Sequence, residues 1–201
     1  MTARKHDPEA TRAAILQAAE ALFVERGFAA VSLSEISKSS GVTKSLIHHY
    51  FGSKDELYRE VQRRSIEEYF VRQIEMIRDE TREDRTTLRD SVEMFFRFHQ
   101  DNPQVSRLMC WSELEGVPHP CTDLELAVTR EGIARIARGQ EAGILRADIA
   151  PEHILSMFLT LVSRWFMFKP TVLVWADRTE DDPAEADERY LHDLLKVFFE
   201  G

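Results

Sequence analysis

Residues 32–54, SLSEISKSSGVTKSLIHHYFGSK, hold the pattern that most restricts what this chain can fold into. They read as two short helices joined by a tight turn. Ser32 followed by Glu35 is a capping box, in which serine oxygen and glutamate carboxylate each take a free backbone N–H. Leu33 and Ile36 give the first helix one apolar face. Gly41 ends it, being the residue most tolerant of a left-handed conformation. Val42 fills the angle between the helices, and Thr43 can cap the second. In that second helix Ile47 points inward, which leaves Lys44, Ser45, His48 and His49 outside. A helix this short is not stable alone. With a lysine, hydroxyls and imidazoles on its outer face, it suits the major groove of DNA.

The rest of the chain reads as helix throughout. Asp7-Pro8 is a helix start, and Ile15, Ala18, Ala19, Leu22 and Phe23 make one stripe that ends at Gly27. That stripe is expected to pack on Ile36, Val42, Ile47 and Phe51. Ser53 and Glu56 form a second capping box, opening a long fourth helix through Leu57, Val61, Tyr69, Ile74 and Ile77. The polar run 79–85 is a loop or helix end. A fifth helix carries Leu88, Val92, Phe95, Phe96 and His99 and breaks at Asp101-Asn102-Pro103. A sixth, 104–115, carries Val105, Leu108, Met109 and Trp111, and loop 116–120 follows. A seventh, about 123–142, uses Leu126, Ile133, Ile136 and Ala137. Pro151 opens an eighth that is apolar on nearly every side, and Lys169-Pro170 should kink or end it. After the acidic loop 177–182, a ninth presents Leu191, Leu194, Leu195, Phe198 and Phe199. The expected fold is all-α, with about nine helices.

The first two-thirds of a hundred residues then point to a family. The helix–turn–helix stretch, with the flanks Ala18-Ala19-Glu20-Ala21-Leu22-Phe23, Arg26-Gly27-Phe28 and Tyr50-Phe51-Gly52-Ser53-Lys54-Asp55-Glu56-Leu57, resembles the TetR family of transcriptional regulators over roughly residues 11–61. Ser37 and Ser40 stand where the family usually has alanine, and a hydroxyl bonded back to the preceding turn can be accommodated there. His48 stands where the family usually has a phosphate-binding tyrosine. Imidazole can donate the same bond, with a strength that follows pH.

Charge and composition agree with such a regulator. The net charge is −9, yet residues 1–64 hold 10 Lys+Arg against 8 Asp+Glu, net +2, and residues 65–201 hold 16 against 27, net −11. A basic head on an acidic body directs DNA to the head. Two cysteines, Cys110 and Cys121, make no disulfide framework, so a reducing cytoplasm is the expected setting. MTARKHDPEA has no apolar run, so no signal peptide is expected. The most apolar segment, 154–168, is interrupted by Arg164 and falls short of the ~20 residues a bilayer requires, so no membrane partner is expected.

No catalytic set stands out: there is no HExxH, no GxSxG and no phosphate-cradling glycine loop. His48 and His49 diverge on their helix and do not share a metal. His119 and Cys121 flank Pro120, with Cys110 earlier; ordinary structural roles outweigh a thiol or metal sensor. Arg4 and Lys5 form either a DNA-following arm or a plain polar tail. No metal and no cofactor are expected.

The reading is a DNA-binding regulator, not an enzyme, with repression the expected sign. Residues 1–53 form the helix-turn-helix domain and 54–201 the regulatory body. Thr43, Lys44, Ser45, His48, His49 and Tyr50 are the expected DNA contacts, with Ser32, Ser34 and Lys54 on the backbone. The resemblance implies a small-molecule effector in the body. Phe95, Phe98, His99, Met109, Trp111, Phe158 and Trp165 are the candidates for it, since they are larger and more polarisable than core filling needs. They favour an apolar or aromatic ligand. A homodimer on palindromic operator DNA is expected, paired through the last two helices by Leu159, Phe166, Leu191, Leu195 and Phe198. The fourth helix, with no Gly- or Pro-rich linker, would couple body to head. The competing reading is a helical-bundle enzyme or small-molecule carrier with an incidental helix-turn-helix; the missing catalytic set weighs against it.

Overall fold

The first helix, α1 (Pro8–Arg26), starts where the Asp7 carboxylate accepts the free N–H groups of Glu9 at 3.0 Å and Ala10 at 3.3 Å. Pro8 sits at its first position, where a missing donor costs nothing. It stops at Gly27, whose φ is +79°. A Cβ at Gly27 would fall 2.7 Å from a Glu115 carboxylate oxygen and 2.8 Å from the Trp111 ring, so glycine alone fits. The computed structural model describes residues 7–117 and 122–200. Arg4, Lys5, His119 and Cys121, together with Pro118 and Pro120, therefore lie outside the described residues. Eight further helices follow: α2 (Leu33–Ser40), α3 (Lys44–Phe51), α4 (Lys54–Arg78), α5 (Asp84–Asp101), α6 (Pro103–Glu115), α7 (Asp123–Glu141), α8 (Pro151–Trp175) and α9 (Pro183–Phe199). The described residues contain no strand, and the all-α expectation holds.

Packing divides the described residues into two units. The first, the head, comprises 7–67 and 107–117; the second, the body, comprises 68–106 and 122–200. Helices α4 and α6 contribute to both.

The head closes around Ile15, Leu16, Ala19 and Phe23 of α1, Ile36 of α2, Ile47 and Phe51 of α3, and Leu57, Tyr58 and Val61 of α4. The stripe expected of α1 and its partners thus shares one core, with Val42 packed at its edge. The later half of α6 belongs to this unit. Its Leu108 joins the core, and its Ser112 hydroxyl lies 2.9 Å from the Tyr58 hydroxyl. Glu115 accepts from the backbone N–H groups of Phe28 at 2.8 Å and Ala29 at 3.1 Å, while Trp111 and Arg107 donate to the Val24 carbonyl. These bonds satisfy the end of α1 and the turn after it, where backbone groups have no partner of their own.

The body is built on α5, α8 and α9, with Phe95, Phe96, Phe158, Val162, Trp165, Leu191, Leu194 and Leu195 in one core. Two charges are buried inside it. Arg135 of α7 donates to the carbonyls of Ile77 at 2.8 Å and Arg82 at 3.0 Å and to Thr87 Oγ1 at 3.1 Å, and it ion-pairs with Asp84 at 2.8 Å. Asp187 of α9 accepts from the Trp165 indole N–H at 2.7 Å and from Lys169 at 2.8 Å. Of the stripe expected of α7, Ile136 is buried as expected but Leu126 is exposed, and Val128, Arg135 and Gly139 complete the inward face. Arg135 takes the buried place because carbonyls and a carboxylate meet it there.

Of the kink or end expected at Lys169-Pro170, the end does not occur: α8 runs 25 residues to Trp175. Pro170 removes one N–H from a ladder of 25 residues, and Val172 and Leu173 beyond it pack against the body's core. With that added length α8 is, by length and apolar content alone, long enough to cross a bilayer. Its Ile154, Phe158, Val162 and Trp165 are instead buried in the body's core.

Candidate DNA-reading face

Helix α3 is held by locks at both of its ends and at the ends of its neighbours. Ser32 Oγ accepts from the Glu35 N–H at 3.3 Å, and the Glu35 carboxylate accepts from the Ser32 N–H at 2.9 Å and from its hydroxyl at 2.8 Å. Those bonds, with Arg26 nearby, hold the Glu35 carboxyl below the usual carboxylate range. Gly41 turns the chain at φ +69°, ψ +11°, in the left-handed region. Ser40 donates back to the Ile36 carbonyl at 2.7 Å, as expected of it. Ser37 does otherwise: it donates forward to the Val42 carbonyl at 2.6 Å and closes the turn. Thr43 caps α3 through the Leu46 N–H, and Ser53 and Glu56 form the second box at the start of α4.

Only Ile47 and Phe51 of α3 are buried. Thr43, Lys44, Ser45, His48 and His49 are exposed together, with Ser32 and Ser34 exposed at the start of α2. Tyr50 is half-buried, its ring edge-on to His49 with centroids 5.6 Å apart. Two side chains are less free than the sequence suggests. The Lys54 ammonium donates to the Val31 carbonyl at 2.7 Å and lies 4.1 Å from the centre of the Phe28 ring. His48 Nδ1 lies 2.6 Å from the Gly52 carbonyl oxygen. A carbonyl only accepts, so Nδ1 carries the hydrogen, and the neutral ring shows an acceptor at Nε2. Donation to a phosphate, as first expected of His48, therefore needs a second proton on the ring.

Residues 15–61 match the family model for bacterial regulatory proteins of the tetR family, and residues 87–191 match that of the tetracyclin repressor-like C-terminal domain. The chain belongs to the TetR family. The HTH-type transcriptional regulator RutR of Escherichia coli (strain K12) is 30% identical over 201 residues, 98% of this chain and 93% of that protein. The HTH-type transcriptional repressor SCO4008 of Streptomyces coelicolor is 27% identical, covering 82% of each. The crystal structure of AibR in complex with isovaleryl coenzyme A and operator DNA superposes with a TM-score of 0.68 at 17% identity, over 94% of this chain and 98% of that one. This is a family of DNA-binding transcriptional regulators, not of enzymes.

Within this TetR-family body the candidate effector residues separate into three groups. Phe95, Phe98, His99 and Phe158 come together, with centroids of Phe95 4.5 Å from His99 and 5.2 Å from Phe158, and Tyr69 stacks 4.8 Å from Phe98. His99 is 1% exposed; its Nδ1 lies 2.8 Å from Ser106 Oγ, its Nε2 has no partner, and burial pushes its pKa down to about 4. Trp165 is committed elsewhere, bonded to Asp187 and stacked on Tyr190 at 4.0 Å. Trp111 and Met109 belong to the head, Trp111 against Gly27 and Met109 partly exposed.

The expected pairing residues are also redistributed. Leu191 and Leu195 are buried in the body's own core, and Leu159, Phe166 and Phe198 pack at its edge. The strongest apolar stripe of a helix goes to its own core first. What remains outside on α8 is Met157, Leu161, Met167, Phe168, Val174 and Trp175, with Val197 on α9. Their spacing was present in the sequence; what it lacked was which side of α8 the core would claim. Beside them lies an apolar groove of about 400 Å³, lined by Leu145, Ile149, Ile154, Met157, Thr160, Leu161, Val197 and Phe198, with Ser156 and Arg146 also on its walls. The described residues contain no cluster of three metal-ligating side chains, and Cys110 is a free, half-buried thiol.

Proposed function

We propose that two copies of this chain bind a palindromic operator through α3, hold the controlled genes repressed, and let go when a small molecule enters the body. The observation that carries the reading is the face of α3, where five polar residues from Thr43 to His49 are exposed while Ile47 and Phe51 anchor the helix. One such helix spans too few base pairs for useful specificity, so a two-fold pair on a two-fold site is the physical expectation. In this reading residues 1–53 read DNA and 54–201 sense and pair. Thr43, Lys44, Ser45, His48, His49 and Tyr50 face bases and phosphates, and Ser32, Ser34 and Lys54 follow the backbone. Lys54 spends one of its three N–H donors on Val31 and keeps two for a phosphate. The protein works in the cytoplasm, off the membrane.

The repressor SCO4008 supports the sign of regulation, and the AibR complex with an acyl coenzyme A and operator DNA supports both partners. The effector we assign is largely apolar or aromatic. It would lie among Phe95, Phe98, His99 and Phe158, with the unpartnered His99 Nε2 fixing one polar group. Release requires only that the ligand favour the non-binding shape; a coupling of about 1–3 kcal/mol changes operator affinity about 5- to 150-fold.

The test is DNA binding at several salt concentrations, on sites selected from random duplexes by the purified protein. Lys44→Ala should weaken every selected site and lower the slope of log affinity against log salt by about one. Unchanged affinity and slope for Lys44→Ala and His49→Ala would remove α3 from the interface. Phe98→Ala is the ligand arm, preferred to Trp165→Ala because Trp165 holds the buried Asp187. With an effector found by thermal-shift screening, Phe98→Ala should impair release and leave ligand-free operator binding intact.

A further inference from the structure

We infer that the effector of the body is an uncharged molecule that presents a hydrogen-bond acceptor, of the ketone, ester or amide carbonyl kind, to an N–H at Nε2 of His99. The inference rests on the effector site proposed above and adds the chemistry that the site selects. His99 is 1% exposed, and its Nε2 has no partner. Burial pushes its pKa down to about 4, so at neutral pH the ring has one hydrogen for two nitrogens. Which nitrogen holds that hydrogen decides what a bound molecule must offer.

Ser106 settles the choice. Hydroxyls elsewhere in these helices donate to the carbonyl four residues back, as Ser91 does to Thr87 at 2.8 Å and Ser112 to Leu108 at 3.0 Å. Ser106 makes no such bond; among the described residues its hydroxyl is partnered by His99 Nδ1, at 2.8 Å. If the hydroxyl donates to Nδ1, one buried group is left over, the N–H at Nε2. If Nδ1 donates instead, two are left over, the serine proton and the lone pair of Nε2. Each such orphan is costly, so the hydroxyl donates and Nε2 carries the hydrogen. Ser106 is thus a positioning residue that acts through His99. Around the imidazole stand the rings of Phe95, Phe98 and Phe166, with centroids 4.5, 5.5 and 6.2 Å from its own. Two cations lie against neighbouring rings, and both are spent. Lys169, 5.9 Å from the centre of Phe166, is bonded to Asp187, and Arg97, 5.9 Å from the centre of Phe96, to Glu188. A carboxylate here would be a buried charge without a counter-ion, whereas a carbonyl oxygen accepts the bond and needs none.

Nitrogen NMR of the full chain carrying isotope-labelled histidine reads the tautomer directly, with the His99 signals identified by their loss in His99→Phe. The expected spectrum has hydrogen on Nε2 and a bare Nδ1; hydrogen on Nδ1 would overturn the inference. The same signals are then followed during titration with three probes of one shape: acetophenone, its methylene isostere α-methylstyrene, and benzoate. Acetophenone should bind about 2- to 10-fold more tightly than α-methylstyrene, the worth of one hydrogen bond, and benzoate more weakly than acetophenone. Equal binding of the ketone and its isostere, or tighter binding of benzoate, would overturn the acceptor chemistry and leave the effector site standing. If none of the three moves the His99 signals up to its solubility limit, the rings are closed core, and the effector site falls together with the inference. Ser106→Ala frees the tautomer without touching the ring. It should erase the preference for acetophenone while α-methylstyrene binds as it does to wild type, and a preference that survives the substitution would show that Ser106 does not set it.

Discussion

The head fills its interior with aliphatic and aromatic groups and uncharged polar ones, whereas the body buries a whole guanidinium and a whole carboxylate. In the head, Tyr58 and Gln62 each bond to Ser112 inside the core, and the order comes from helix ends. Asp7, Ser32 with Glu35, Thr43, and Ser53 with Glu56 each fix where a helix begins. In the body, Arg135 ties α7 to the last turn of α4 and the loop after it, and Asp187 ties α9 to Lys169 and Trp165 of α8. Caps are local and cost little when lost. A buried ion pair is specific and costs much when half of it is removed. The head is thus a set of small independent locks, and the body is an arrangement held at a few points whose failure spreads.

The largest expected effect tests that contrast. Arg135→Met keeps the length of the aliphatic stem but leaves the Ile77 and Arg82 carbonyls without their donor and Asp84 with only the more distant Arg138, at 3.8 Å. Urea unfolding should show a loss of about 3–5 kcal/mol. A loss below about 1 kcal/mol would mean that the body, like the head, is secured by many minor contacts.

Next in size is a pH effect confined to the body. His99 is buried among Phe95, Phe98 and Phe166, and burial pushes it from 6.5 to about 4. The unfolded chain takes up that proton more readily than the folded one. Stability is therefore complete above about pH 6.5 and declines as the pH falls from there to about 4, by up to about 3 kcal/mol. His99→Leu should flatten this part of the stability curve. If the slope survives the substitution, other groups titrate there and His99 does not set it.

Arg135 also marks where the sequence stops being legible. The head could be read almost position by position, because its signals are local: a cap and its acceptor lie three residues apart, and Gly41 announces its own turn. Even there Ser37 departs from the reading, since its hydroxyl donates forward to the Val42 carbonyl and not back to the preceding turn. In the body the deciding partners are remote. An arginine in a helix reads as solvent-facing, and nothing near Arg135 reveals the carbonyl 58 residues earlier that receives it. Trp165 reads as a ligand contact until Asp187, 22 residues on, is seen to hold it. Leu191 and Leu195 read as interface because apolarity does not say which copy of the chain will cover it.

A smaller effect returns to the head's locks. Ser32→Ala removes both the acceptor for the Glu35 N–H and a donor to the Glu35 carboxylate. It should cost about 1 kcal/mol in urea unfolding, the ordinary worth of a helix cap. Combined with Thr43→Ala, at a separate helix end, the losses should add to within about 0.5 kcal/mol. Marked non-additivity would show that the head too is a coupled network, and the contrast with the body would lose its basis.

The smallest effect concerns a single bond at the DNA face. His48 donates from Nδ1 to the Gly52 carbonyl at 2.6 Å, so its neutral ring offers DNA an acceptor at Nε2. A phosphate is itself an acceptor, and the two repel unless the ring takes a second proton. Tyrosine, the residue usual in the family at this place, carries a hydroxyl that donates in its neutral form. His48→Tyr should therefore tighten operator binding by about 2- to 10-fold, the net worth of roughly one ordinary hydrogen bond after exchange with water. His48→Phe should show no such gain, which separates the hydroxyl from the larger ring. Should the tyrosine variant bind more weakly than wild type, while the phenylalanine variant weakens equally, then Nε2 is accepting from a base amino group in the major groove. His48 would in that case read sequence instead of holding the backbone.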